Sequence, residues 1–480
     1  MSSRTRIAIA GASGFVGRAL RRELADRFEI VALTRRASSP DGSEVDSDGV
    51  VWRTCDLFDV QSVESAFAGV DVVIYLVHSM SPQSRLNQAH FDDLDLVLAD
   101  NVRRAADRAG VERIVFLGGL DADMDESRLS THLASRREVG IVLGGAEADL
   151  TELRAGLIIG RGGSSFRMMM RLIRRLPIMV LPRWTSTPTQ PVAIEDVKAA
   201  VAMVLDDGDR WIGAYDLGIP ESMNYGTMVR RAAACIGRSP VMIPVPISSP
   251  RVSMLWIMLF SGEPRSLVVP LIASLSTPTV TRPNPLLDEL QKSGMTSFEG
   301  AIRGSLEDDG EREDPRAIIR RRDRRVIQTR SLVRSIQRVS MPPNVRPDRI
   351  SSSYWRWLGR LLPGVLKVST EEDDAGRISS AEISLFGRIS LLSLVRNASR
   401  CDDDMETLDI VQGLLVRRGM DLGGRFEFRV VRCRSVVVTA LHDYAPSLPW
   451  PVYKWTQAVA HRVVMWMFAR TLRKDAGDLA

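Results

Sequence analysis

Three glycines set directly behind a short apolar run restrict this chain more than any other feature. Gly11-Ala-Ser-Gly14-Phe-Val-Gly17 follows Ile7-Ala-Ile-Ala and opens a segment carrying Leu20 and Leu24 at helical spacing. At a strand-to-helix junction the first glycine permits the tight turn. The second lets backbone approach a pyrophosphate, and the third lets helix and strand pack closely. The phosphates of such a ligand would rest on the helix N-terminus, where free N–H groups and the dipole favour anions. The pattern predicts a dinucleotide-binding βαβ unit.

The following residues continue that alternation. Ile30-Val-Ala-Leu, Val50-Val-Trp, Val72-Val-Ile-Tyr-Leu-Val and Ile114-Val-Phe-Leu read as strands, with helical stretches over Phe15 to Arg27 and about Asn87 to Ala109. Strands at this spacing, joined by helices, imply right-handed crossovers. The expected fold class is α/β, a Rossmann doubly wound parallel sheet. Thr151-Glu-Leu-Arg-Ala adds a strand, and Phe166 to Leu176 a helix whose Met168-Met-Met170 run is expected to fill the core rather than line a pocket.

Composition narrows the class. At 480 residues, with 45% hydrophobic and 26% charged residues, the chain is globular and long enough for two or three packed units. A net charge of +5 from 64 basic and 59 acidic residues is too even to imply a nucleic-acid partner. Cys55, Cys235, Cys401 and Cys433 lie far apart without His at ligand spacing, so no metal site or disulfide framework is expected. Without a secretory-type N-terminal segment or 18 uninterrupted apolar residues, the expected location is cytoplasmic.

The second strand ends in Thr34-Arg35-Arg36, where an acid would usually meet a ribose 2′-hydroxyl. Arginine suits a 2′-phosphate instead, which favours NADP, with NAD as the alternative. Expected cofactor contacts are Gly11, Ser13, Gly14, Phe15, Val16 and Gly17 in the loop, and Arg35 and Arg36 after the second strand. Asp56 and Leu57 follow the third strand, and Leu76 and Val77 the fourth.

The glycine spacing, Asp56-Leu57, Pro191-Val-Ala-Ile-Glu-Asp-Val and Glu152-Leu-Arg-Ala-Gly-Leu-Ile-Ile-Gly160 resemble the extended or atypical short-chain dehydrogenase/reductase superfamily. Leu76-Val-His-Ser-Met80 and Leu181-Pro-Arg-Trp184 are similar to its NmrA-like NAD(P)-binding proteins that carry an uncharacterised C-terminal domain. The resemblance covers about the first 290 residues. It implies an oxidoreductase acting on a carbonyl or quinone, with a catalytically silent NAD(P)H sensor or scaffold as the alternative.

The family's reductases use Ser, Tyr and Lys. Here Gly118-Gly119 stands where the resemblance implies a serine or threonine, and His132-Leu-Ala-Ser-Arg136 where it implies Tyr-x-x-x-Lys. Histidine can donate a proton near neutral pH, and Arg136 could hold the nicotinamide ribose. Arginine, however, stays protonated and cannot tune a neighbour as a desolvated lysine does. His132 is therefore a proton donor or a solvated helix residue. His78, at the end of the fourth strand, either lines the crevice or satisfies a turn.

Charge concentrates from Ser305 to Arg325, with an Arg320-to-Arg325 cluster read as a solvated segment. The expected organisation is a dinucleotide-binding domain over 1–290, a charged linker over 291–345 and a smaller α+β domain over 346–480. Strand-like runs at Leu408 to Val416 and Arg425 to Leu441, and a helix from Pro451 to Arg473, suggest an antiparallel sheet gripping one long C-terminal helix. That helix puts Val452, Trp455, Val459, Val463, Trp466 and Met467 on one stripe. Burial against its own domain is expected, with peripheral membrane contact as the alternative.

Overall fold

The computed structural model describes residues 4–35, 43–79, 89–121, 124–246, 258, 265–307, 333–340, 345–417, 424–431, 433 and 435–474. The chain divides into two units: Met1–Pro82 with Leu98–Ile318, and Gln83–Val97 with Ile319–Ala480. The second unit is thus discontinuous in sequence.

The first unit carries eight strands in one sheet. They are β1 (Arg6–Ala10), β2 (Glu29–Thr34), β3 (Ser43–Val45), β4 (Val51–Thr54), β5 (Val72–Tyr75), β6 (Arg113–Gly119), β7 (Asp149–Ala155) and β8 (Gly213–Leu217). Their order is β8-β7-β6-β5-β1-β2-β4-β3, parallel except for the short β3–β4 pair. The central strands are apolar along their length because helices cover both faces of such a sheet; β1, β2 and β5 are buried almost throughout. The order reverses between β1 and β5, so a crevice opens at their carboxyl ends.

The helices are α1 (Phe15–Leu24), α2 (Val60–Phe67), α3 (Phe91–Ala109), α4 (Thr131–Leu143), α5 (Ser164–Arg175), α6 (Ile194–Asp206) and α7 (Tyr225–Cys235). Later come α8 (Arg265–Ser274), α9 (Pro285–Ser293) and α10 (Phe298–Glu307). The sheet core joins Ile7, Leu20, Trp52 and Ile74 to Val197 and Val201 of α6. A second cluster gathers Met168, Met169, Met170, Met228 and Phe298.

Two parts of the stretch expected as a charged linker, 291–345, are regular elements. Helix α10 buries Phe298 and Ile302 in the methionine-rich cluster, and Val333–Ser340 is a full strand of the second sheet. Apolar residues interrupt the charged composition at both ends, and burial follows them rather than the average charge. The Arg320-to-Arg325 cluster lies outside the described residues.

The second unit is an antiparallel sheet of β9 (Val333–Ser340), β10 (Leu366–Glu372), β11 (Ile378–Leu385), β12 (Ile389–Arg396), β13 (Met405–Gln412), β14 (Arg425–Val431) and β15 (Val436–Tyr444). Their order is β9-β15-β14-β13-β12-β11-β10, so the first strand lies beside the last. Helices α11 (Pro347–Leu361), α12 (Trp450–Trp455) and α13 (Gln457–Lys474) complete the unit. Phe426 and Phe428 of β14 meet Tyr354 of α11 at ring-centroid separations of 5.3 and 5.5 Å, and Phe468 of α13 reaches Tyr354 at 5.0 Å.

Alternation puts Arg425, Glu427 and Arg429 on the opposite face of β14, and they too are buried. Glu427 pairs with Arg425 at 2.7 Å, Arg429 at 2.9 Å and His442 at 3.3 Å. Burial disfavours the Glu427 carboxylate, yet His442 and the two arginines outweigh it and hold the group well below the usual carboxylate range. Within the same unit, Arg338 of β9 bonds Asp92 at 2.9 Å and Asp93 at 2.5 Å, at the start of α3.

The C-terminal helix corrects an expectation. The chain breaks at Thr456 (φ −117°, ψ −87°), separating α12 from α13. Tyr453, Ala458, Met465, Phe468 and Leu472 are the residues buried against the sheet, whereas the stripe expected to be buried, Val452 to Met467, faces outward. The segment is apolar on two sides, and periodicity alone does not select the side that meets the sheet.

Candidate functional site

The glycine loop has the geometry a pyrophosphate needs. Gly11 adopts φ +93°, which only glycine takes without strain. A Cβ on Gly17 would stand 2.3 Å from the Gly11 carbonyl oxygen, so glycine there lets α1 seat against the turn. Helix α1 begins at Gly14 with no side-chain cap and no acid in its first turn, leaving its amide end suited to an anion. The loop therefore fits a dinucleotide.

The other expected cofactor residues line the same sheet edge. Phe15 and Val16 start α1, half-buried, and the Ser13 carbonyl accepts a 2.9 Å bond from Arg18. Arg35 is exposed beyond β2, and Arg36 lies outside the described residues. Asp56 follows β4, where its Oδ1 accepts the Phe58 amide at 3.1 Å and shapes its own turn. Leu57 is held through its carbonyl by the amide of Asn101, a fully buried residue of α3, at 2.8 Å. Nothing in the sequence marks Asn101, since a polar residue on a helix gives no sign of what it reaches. The Leu76 amide donates to Ala10 at 3.0 Å, tying the end of β5 to that of β1.

The exit of β5 and helix α4 bring the expected catalytic residues together. His78 leaves β5, and His132 stands in the first turn of α4, which Ser130 caps through a 3.3 Å bond from the Leu133 amide. The two imidazoles meet with His78 Nε2 2.8 Å from His132 Nδ1, their rings nearly parallel at 13°. Arg136, one turn further along α4, is 5% exposed. It donates to the Val77 carbonyl at 2.9 Å and to the Leu117 carbonyl, and lies 4.6 Å over the Phe116 ring. Its guanidinium thereby ties the ends of β5 and β6.

The missing hydroxyl also has a structural reason. A Cβ on Gly119 would approach Leu133 Cδ2 to 3.1 Å and Arg136 Cβ to 3.4 Å, and one on Gly118 would stand 2.6 Å from Glu152 Oε1. Helix α4 and the buried Glu152 occupy the space a side chain would need.

Beside the histidines a cavity of about 170 Å³ is lined by Gly119, His132, Met168, Met169, Trp184, Tyr225, Met228 and Thr279. Met168 and Met169, expected as core filler, both join the apolar cluster and line this cavity. Tyr225 carries a phenol that burial pushes above its usual range, against hydrogen bonds from Thr189 and Thr279. The cavity walls come from segments far apart in sequence, and no local pattern announces Tyr225 or Met228. No group of His, Cys, Asp and Glu fit to hold a metal occurs among the described residues. Cys55, Cys235, Cys401 and Cys433 form no disulfide.

Comparison with known proteins agrees with this geometry. Residues 11–153 match the NAD(P)H-binding family. Auxiliary protein GraX of Staphylococcus aureus is 25% identical over 114 residues, covering 24% of this chain and 36% of that protein. An uncharacterized protein of Mycobacterium tuberculosis is 28% identical over 244 residues, 50% of this chain and 24% of the other. An Arabidopsis thaliana mitochondrial protein, NADH dehydrogenase [ubiquinone] 1 alpha subcomplex subunit 9, is 26% identical over 220 residues, 44% and 53% respectively. The chain thus spans about a quarter to a half of the length of these curated relatives.

Among solved structures, the Citrobacter sp. triphenylmethane reductase complexed with NADP(H) is 20% identical with a TM-score of 0.48, covering 63% of this chain and 100% of that one. The Escherichia coli NADPH-dependent quinone oxidoreductase complexed with NADPH is 19% identical with a TM-score of 0.49, covering 62% and 99%. The match over residues 11–153 puts an NAD(P)H-binding domain in the first unit, on the parallel sheet and glycine loop described above.

Proposed function

We propose that the protein is an NADP-dependent reductase of a carbonyl or quinone compound, with the His78–His132 pair as its proton source. One observation carries this reading: two imidazoles 2.8 Å apart, one of them lining a mostly apolar cavity beside the carboxyl ends of β5 and β6. When bound, a reduced nicotinamide supplies a hydride.

The chain's own residues supply the rest. The cavity takes the apolar body of the acceptor against Met168, Trp184 and Met228. His132 delivers a proton to the acceptor oxygen from Nε2, the ring nitrogen not used in the pair, and His78, entering the step as an imidazolium and leaving it as a neutral imidazole, replaces that proton through the Nε2–Nδ1 bond. Arg136 is a positioning residue: by holding the Val77 and Leu117 carbonyls it fixes the strand end that leads into His78. Arg35, exposed at the end of β2 where the sequence reads Thr34-Arg35-Arg36, supports NADP over NAD because a guanidinium suits a 2′-phosphate.

The test is turnover of NADPH with a panel of carbonyl and quinone acceptors. A His78→Gln/His132→Gln double variant should lose at least about 100-fold in kcat. Its Kd for NADPH should stay within about twofold of the wild type, because neither imidazole is assigned to cofactor binding. Full turnover by the double variant would reject the pair as proton source. Arg35→Ala should weaken NADPH by about tenfold and leave NADH unchanged; equal effects on both would reject the NADP preference.

A second reading, a cofactor-responsive binding protein, draws on the closed space at Gly118 and Gly119. It predicts tight NADPH binding with no oxidation across the acceptor panel. The cytosol is the compartment this reading implies; among the described residues no helix is long and apolar enough to cross a membrane.

A further inference from the structure

The C-terminal helical segment has two apolar sides and only one of them meets the sheet. Tyr453, Met465, Phe468 and Leu472 are buried there. On the other side Val452, Trp455, Val459, Val463, Trp466 and Met467 stand in solvent, Trp455 at 76% and Trp466 at 54% exposure. A face that exposes two indoles is costly for a surface that meets only water.

Charge says what covers it. Residues 450–474 hold five Lys and Arg and no Asp or Glu. Arg462 and Arg470 are exposed, and the Arg470 guanidinium lies 3.9 Å over the Trp466 ring, so cation and indole occupy one surface. A symmetric pairing of two copies through this face would set these arginines against their equivalents with no acid of the segment between them. Tryptophan prefers the boundary between hydrocarbon and water, and arginine meets lipid phosphate there. At 18 residues α13 is about 27 Å long, and it is not apolar enough to span a bilayer. A helix with these properties lies flat in the interface.

We propose that the outward face of α12 and α13 docks on an anionic phospholipid surface, with Trp455 and Trp466 at headgroup depth and Arg462 and Arg470 on lipid phosphates. The proposal stands apart from the redox reading, since it involves none of the residues of the cavity.

Full-length protein would be sedimented with vesicles of mixed phosphatidylglycerol and phosphatidylcholine, and with phosphatidylcholine alone. Binding is expected to the anionic vesicles only and to fall as salt rises. A Trp455→Ser/Trp466→Ser variant should bind more than about tenfold more weakly, with an unchanged melting temperature because both indoles are exposed. Arg462→Gln/Arg470→Gln should lose roughly 25-fold, at about fivefold for each cation. Absence of vesicle binding, or equal binding by the tryptophan variant, would overturn the proposal. So would a concentration-dependent dimer, lost in the tryptophan variant, in protein that ignores vesicles; a second copy would then cover the face.

Discussion

Replacing Gly17 by alanine adds one methyl group at the most confined point of the glycine loop. The new Cβ would lie 2.3 Å from the Gly11 oxygen, 2.7 Å from Ala12 Cα and 2.9 Å from the Ala12 carbonyl carbon, where ordinary contact begins at 3.4 Å. All three atoms are backbone, so no side chain can turn aside, and α1 must move away from the turn. Overpacking of this kind costs about 3 kcal/mol at the upper end of its usual range. That is roughly 150-fold if it falls wholly on cofactor affinity. Displacement of α1 would appear as weaker binding, and resistance to displacement as lower stability, so the two losses together should approach that figure. Calorimetric titration with NADPH, paired with a thermal melt, measures both. Gly14→Ala is the control. Gly14 is exposed, with an ordinary extended backbone, and its Cβ would meet only the Gly11 oxygen at 3.1 Å. It should weaken NADPH binding by obstructing the pyrophosphate while leaving the melt unchanged. A Gly17→Ala protein with wild-type affinity and wild-type melting would refute both the packing argument and the assignment of the loop.

Other consequences can be checked in the second unit. Glu427→Gln keeps the shape but leaves Arg425 and Arg429, with side chains 4% and 1% exposed, without their shared counter-charge. It should cost about 3–5 kcal/mol at pH 7, read as a lower urea midpoint by hydrogen exchange in β14; a loss under about 1 kcal/mol would refute the network's importance. His442 is fully buried, and desolvation holds it below the ordinary histidine range against the pull of Glu427. The unfolded chain therefore takes up that proton first, so this contribution is complete above about pH 6.5 and is lost as pH falls below it. His442→Gln should lose less stability between about pH 7 and pH 5 than the wild type does. Parallel losses would mean that folding does not depress the His442 pKa and would refute the argument.

What the sequence announces and what it conceals divide along physical lines. The loop at Gly11 to Gly17 is legible because one local turn imposes its requirement on three nearby positions. The doubly wound sheet is legible because buried parallel strands are apolar throughout. His78 and His132 were each visible as candidates, but their meeting was not, because it depends on how β5 and α4 pack 54 residues apart. The cavity depends on still longer separations. In the second unit, strands β10 to β12 carry serines, glutamates and leucines in mixed order, and half-exposed strands of this kind leave a weaker trace than the valines of β15. The outward stripe of α12 and α13 is legible as a stripe but not as the outer one, because a helical segment apolar on two faces satisfies either choice.

The discontinuous second unit has a practical consequence for anyone who would take this protein apart. A fragment beginning at residue 319 retains Arg338 but lacks Asp92 and Asp93, and it retains Arg429 without the Val97 carbonyl it approaches at 3.5 Å. A fragment ending at 318 keeps those aspartates and strands them without their arginine. Neither fragment coincides with one compact unit. Exchanging the C-terminal part with that of another protein would have to carry residues 83–97 along with it.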